Sequence, residues 1–98
     1  MRIYVAVDAE LLRRLAAGER ISAPAFSAES EDEEDELAAL EEAAEHGPVV
    51  AAADVDGTDD VTLEDIASFH VDLDGTGNLA WFATQEIDAV LREAQKRM

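Results

Sequence analysis

Apolar and polar positions alternate at the start of the chain. Ile3, Val5 and Val7 fall on one side and Tyr4 and Ala6 on the other, the two-residue period of a strand. From Leu11 the period changes. Leu11, Leu12, Leu15 and Ala16 share one face of a helix, with Asp8 placed to cap its start and Gly18 to stop it in a left-handed turn. Residues 21–27 hold Pro24 and Phe26 and read as a short edge strand, where a proline is tolerated. A second helix is expected after Ser30, which forms a capping-box pattern with Glu33. Leu37, Leu40 and Ala44 give that helix a narrow apolar stripe. His46, Gly47 and Pro48 end it, with Gly47 in the left-handed conformation.

Val49 to Ala53 is continuously apolar, which predicts a strand covered on both faces in a mixed or parallel sheet with helices outside. Thr62 and Asp65 form a second capping box, opening one helical turn through Ala67. Phe69, Val71 and Leu73 then alternate with His70 and Asp72. A cluster of turn formers, Asp74 to Asn78, joins this strand to a buried strand over Leu79 to Ala83, so an antiparallel hairpin is expected. Trp81 and Phe82 point to opposite sheet faces. One must enter the core, and burial is the better expectation for the other as well in so apolar a run. Thr84 is placed to cap a last helix with Ile87, Val90, Leu91 and Ala94 inside and Arg92, Lys96 and Arg97 at its negative end. The order β-α-β-α-β-(turn)-β-β-α predicts one small α/β (α+β) domain over residues 1–98. Its sheet is expected to be mixed, with about four or five strands and about three helices.

Charge changes this picture more than composition does. Seven Lys and Arg stand against 24 Asp and Glu, a net charge of −17. The imbalance is local: no basic residue lies between Arg20 and Arg92, an interval holding 20 of the 24 acids. Nucleic-acid binding rests on neutralising phosphates with Lys and Arg, so no direct binding to DNA, RNA or an anionic membrane surface is expected. A basic protein is attracted instead. The acids densest in sequence are Glu31, Asp32, Glu33, Glu34, Asp35 and Glu36, followed by Glu41 and Glu42. They are the candidate interaction surface, although like-charge repulsion favours fraying over 29–36. Solubility alone also accounts for such a surface.

Two aspartate pairs suggest chemistry. Asp72-Leu-Asp-Gly-Thr76 follows an apolar-rich run, and Asp54-Val-Asp-Gly-Thr58 repeats the pattern eighteen residues earlier. The motif resembles the first motif of haloacid-dehalogenase-like phosphatases, which implies Asp72 as nucleophile, Asp74 as general acid and a magnesium ion between them. That family needs a long α/β stretch after the motif, whereas 22 residues follow Thr76 here. Asp-Gly after a strand is ordinary turn chemistry, and the turn reading prevails. Asp54, Asp56, Asp72 and Asp74 are the candidate ligands for weak magnesium or calcium binding, but neither loop has the alternating frame of an EF-hand, and no dedicated cofactor is expected. The chain has no Cys, so disulfides, zinc thiolates and thiol catalysis are absent. Its two imidazoles, His46 and His70, assemble no Ser-His-Asp arrangement from spacing. The opening Arg2 to Val7 reads as strand rather than signal peptide, and a cytoplasmic setting is expected.

Met-Arg-Ile-Tyr-Val at the start, the Glu-rich helix, Val49 to Val55, the segment Leu63 to Val71 and Leu79-Ala-Trp-Phe-Ala-Thr-Gln-Glu-Ile87 resemble a group of short hypothetical actinobacterial proteins assigned to a domain of unknown function. The resemblance implies the fold and a bacterial cytoplasmic setting, and no activity. This chain is shorter between the fourth strand and the Trp strand. The leading functional expectation is therefore a non-enzymatic interaction domain whose acidic helix faces a basic partner, with a divalent-metal-dependent phosphate enzyme or metal-binding domain at Asp72 and Asp74 as the alternative. A homodimer through an exposed sheet edge or the Trp-bearing face is a third arrangement, opposed by the negative middle unless its interface avoids it.

Overall fold

The computed structural model describes residues 2–28, 30, 32–55, 60–73 and 79–96. Strand β1 (Arg2–Val7) leads through Asp8 into helix α1 (Ala9–Ala16). The Asp8 carboxylate accepts the Leu11 N–H at 2.9 Å, satisfying a donor that has no partner inside the helix. At the other end Gly18 has φ +85, with Gly18 N–H to Leu15 C=O at 3.0 Å and Glu19 N–H to Arg14 C=O at 3.0 Å. This is the paired bonding of a Schellman stop, as the glycine predicts. Ala9, Leu12 and Leu15 are buried, Leu11 is half-buried and Ala16 is exposed, so the inner face is rotated slightly from its expected position.

The single edge strand expected over 21–27 is two short strands divided at Pro24. β2 (Ile21–Ser22) leaves the main sheet, and β3 (Ala25–Ser27) joins it beside β1. The Pro24 carbonyl accepts the Ala6 N–H at 2.9 Å, so the missing proline donor costs no ladder bond. Helix α2 (Glu33–Ala44) follows. Its cap is Asp32, not Ser30. Ser30 lies one residue pair earlier, where its hydroxyl accepts the Asp32 N–H at 3.1 Å and donates to the Asp35 carboxylate. The helix buries Ala39 and Ala43, while Leu40 and Ala44 are half-buried and Leu37 is exposed. Small residues let the helix lie close to Val50 and Ala52, which displaces the expected leucine stripe to its flank. Gly47 is not left-handed. A Cβ there would sit 3.1 Å from the Val7 carbonyl oxygen, so glycine is required by the close approach of two backbones.

Strand β4 (Val49–Asp54) pairs with β1, and β5 (Asp60–Val61) pairs with β2 in a separate two-stranded sheet. At the Thr62 turn the Asp65 carboxylate accepts the Thr62 N–H at 2.9 Å, the reciprocal half of the expected capping box. The turn is a 3-10 helix over Leu63–Asp65, and β6 (Ile66–Asp72) begins where helix was expected to continue. β6 and β7 (Leu79–Ala83) form the expected antiparallel hairpin; its turn, 74–78, lies outside the described residues. A 3-10 turn, Thr84–Glu86, leads into helix α3 (Ile87–Gln95). Thr84 is not a cap. Its hydroxyl donates to the Ile66 carbonyl at 2.8 Å, while Glu86 accepts the Ala83 N–H at 3.0 Å.

The main sheet has the order β3-β1-β4-β6-β7, and every pairing is antiparallel rather than mixed. Burial of β4 on both faces was the correct inference, but antiparallel strands meet it as well as parallel ones. One face carries Ile3, Val5, Val7, Val49, Ala51, Ala53, Phe69 and Val71 against Leu12 and Leu15 of α1 and Ile87, Val90 and Ala94 of α3. The other carries Tyr4, Val50 and Ala52 against α2. The domain is α+β, three helices on a five-stranded antiparallel sheet with a second two-stranded sheet. No described helix is long and apolar enough to cross a membrane.

Candidate functional site

The α2 helix packs on β3, β1 and β4. Alternation along β6 sends Ser68 and His70 to the α2 side and Phe69 and Val71 to the opposite core; along β7 the residue paired with His70 is Trp81. Because α2 ends its cover at β4, these side chains border an open groove of about 360 Å³. Tyr4, Ser68 and His70 form its floor, and Glu33, Glu36, Leu37 and Leu40 form its helical wall. Those four wall positions share one helical face through their spacing of three and four residues. Trp81 forms the opposite wall, and Arg2 closes one end. Trp81 is 62% exposed and Leu37 53%, two of the three large apolar residues left open to solvent among the described residues.

Arg2 and Asp54 face each other across the β1–β4 register. Nε lies 2.7 Å from Asp54 Oδ1 and Nη2 3.2 Å from Oδ2, a forked pair. This bond holds the Asp54 carboxyl below its ordinary range and raises the guanidinium further. The cation at the groove is thereby matched by its own carboxylate, leaving Glu33 and Glu36 to set the local sign. Burial raises the Tyr4 hydroxyl, with the charge of Glu36 acting in the same direction. His70 is half-buried and its Nε2 lies 3.0 Å from Ser68 Oγ. Burial lowers its pKa, and the positive charge of Arg2 adds to the effect. Ser68 and His70 thus bond to each other in the floor of the groove.

The predicted acidic surface is divided by helix geometry. Glu33 and Glu36 border the groove, whereas Asp35 and Glu42 lie on the other flank beside Ser27, Ala38 and Ala39 in a depression of about 280 Å³. Asp32, Glu34 and Glu41 point to solvent, and Glu31 lies outside the described residues. The predicted metal ligands are not brought together where they can be placed. Asp54 ends β4 beside the start of β6, and Asp72 ends β6 beside the start of β4, so the two stand at opposite ends of the sheet. Asp56 and Asp74 lie outside the described residues, and no group of three or more potential metal ligands occurs among those described.

Sequence offered the Trp-bearing face as a homodimer surface, but did not single out Arg2, Tyr4, Leu37, Leu40, Ser68 and His70 as a site with Trp81. The polar side of β6 was visible as alternation, and the single Trp was visible as a landmark. His46 holds its expected place at the end of α2, where its ring stacks on Phe26 with centroids 5.1 Å apart. No family model matches the chain, and no curated protein or solved structure matches it.

Proposed function

We propose that this protein is a non-enzymatic interaction domain that binds a basic partner segment on the α2 side of the sheet. An apolar side chain of the partner enters between Leu37 and Trp81, and its neighbouring Lys or Arg residues meet Glu33 and Glu36. The observation that carries this reading is the coincidence, in one groove, of two exposed apolar side chains with two carboxylates whose nearest cation is already paired. Burying one large apolar side chain contributes about 1.5–3 kcal/mol. An exposed charge pair contributes roughly 0.2–1 kcal/mol. Insertion therefore supplies most of the affinity, while charge supplies encounter rate and choice of partner. The same carboxylates repel nucleic-acid phosphates, and a cytoplasmic setting fits this reading.

Trp81 is the only Trp in the chain, so its emission reports the groove directly. Synthetic peptides alternating Lys with Leu should shift that emission to shorter wavelength and saturate. Peptides alternating Lys with Ser should bind only at low salt, and peptides alternating Glu with Leu should not bind. Equal response to the Glu–Leu peptides, or loss of all binding at about 0.15 M salt, where exposed charges are screened beyond about 8 Å, would refute the assignment.

A further inference from the structure

The two outer edges of the main sheet are finished differently. β3 is three residues long, follows Pro24 and has α2 packed against it. These are the devices by which sheets blunt their edges. β7 is five residues long without charge, proline or glycine, and among the described residues no strand pairs with its outer side. Its polar backbone can be oriented. The Ala83 N–H bonds the Glu86 carboxylate, so it points away from β6. Backbone groups alternate in direction along an antiparallel strand, and those of Trp81 and Leu79 therefore point outward too. From Leu79 to Gln85 no residue is charged, in a chain that carries −17.

We propose that a second copy of this chain covers that edge, β7 pairing antiparallel with its counterpart about a two-fold axis at Trp81. A residue on such an axis, with its backbone directed outward, exchanges both hydrogen bonds with its own copy. The two indoles then occupy directly opposed cross-strand positions, where aromatic pairs attract. The uncharged stretch gives a basic segment no carboxylate to meet along the ladder, and it lets a second copy pair without like charges opposed within it. Glu86 lies past the end of the strand and Asp72 lies on β6, one strand in from the edge, so neither is on the pairing ladder itself. Glu86 withholds the Ala83 donor, so each Leu79–Ala83 pair flanking the axis keeps one of its two ladder bonds. Pairing joins the two open half-faces into one trough, floored by β6 and β7 of both copies and walled by their α2 helices. That consequence rests on the groove reading; the dimer itself does not.

Sedimentation equilibrium of the 98-residue chain tests the pairing. Two copies of like charge repel, and the screening length falls from about 10 Å at 0.1 M salt to about 3 Å at 1 M. The dimer fraction should therefore rise with protein concentration and with salt, and Trp81→Lys should abolish it. Hydrogen exchange on the unaltered chain gives a readout independent of that variant's folding: the amides of 79–83 should exchange more slowly at concentrations where the dimer forms. A monomer at every concentration in 1 M salt, exchange in 79–83 that ignores concentration, or a dimer that survives Trp81→Lys in a folded chain each overturns the proposal. Glu33→Lys with Glu36→Lys should remove peptide binding and leave the dimer intact, so the two assignments fail separately.

Discussion

The same strands present two unlike faces. Toward α1 and α3 they offer large branched and aromatic side chains, and Leu12, Val5, Val49, Phe69, Val71 and Val90 are all fully enclosed. Toward α2 they offer Tyr4, Val50 and Ala52, met by Ala39 and Ala43. The first face is filled by two helices and complete. The second is covered by one helix across half its width, and what that helix leaves open becomes a groove. Stability and recognition are thus assigned to opposite sides of one sheet, separated by the alternation of single residues. His70 and Trp81 belong to the recognition side because their neighbours Phe69 and Phe82 belong to the other.

The largest effect should come from the filled face. Phe69→Ala removes the largest fully buried side chain, and such truncations cost about 3–5 kcal/mol. Chemical denaturation should show a large fraction of the stability lost, since typical totals are about 5–15 kcal/mol. Next is Ala43→Leu, which forces a branched side chain between α2 and the sheet. Overpacking of this kind costs about 1–3 kcal/mol, and the lifted helix should also widen the groove and weaken peptide binding. At concentrations where the chain is monomeric, Trp81→Ala should barely move stability, within about 0.5 kcal/mol as for other exposed positions, yet remove peptide binding. A large loss of stability there would erase the contrast between the faces.

The smallest effect is a pH dependence at His70. Its pKa is lowered on folding, so the unfolded chain takes up the proton first as pH falls below the ordinary value of 6.5. The stability that depends on neutral His70 is present above 6.5 and declines as pH drops through the window beneath it. His70→Gln should flatten the stability profile just below pH 6.5 relative to the unaltered chain. An unchanged slope would mean that the imidazole is not burdened by its place in the groove floor.

Elements whose signals are local were legible in the sequence. Asp8 and Gly18 bracket α1 because a cap and a left-handed stop act within one turn of the helix they end. The alternation of β1 and β6, the apolar run of β4 and the helical spacing of Ile87, Val90 and Ala94 all translate directly into buried positions. What could not be read depends on distant partners. Alanine suits either face of a helix, so Ala39 and Ala43 announce themselves only once Ala52 is known to lie beneath them. The exposure of Trp81 follows from how far α2 reaches, a fact encoded nowhere near residue 81. Asp54 meets Arg2 across 52 residues through sheet register, which removes it from the role its Asp-Gly loop suggested.

The most direct measurement is titration of Trp81 emission with a Lys–Leu alternating peptide in three chains: unaltered, Leu37→Ser, and Glu33→Lys with Glu36→Lys. A working groove predicts saturable binding to the first, at least tenfold weaker binding to the second, equivalent to about 1.4 kcal/mol, and loss of binding in the third. Equal affinity in all three folded chains would contradict it.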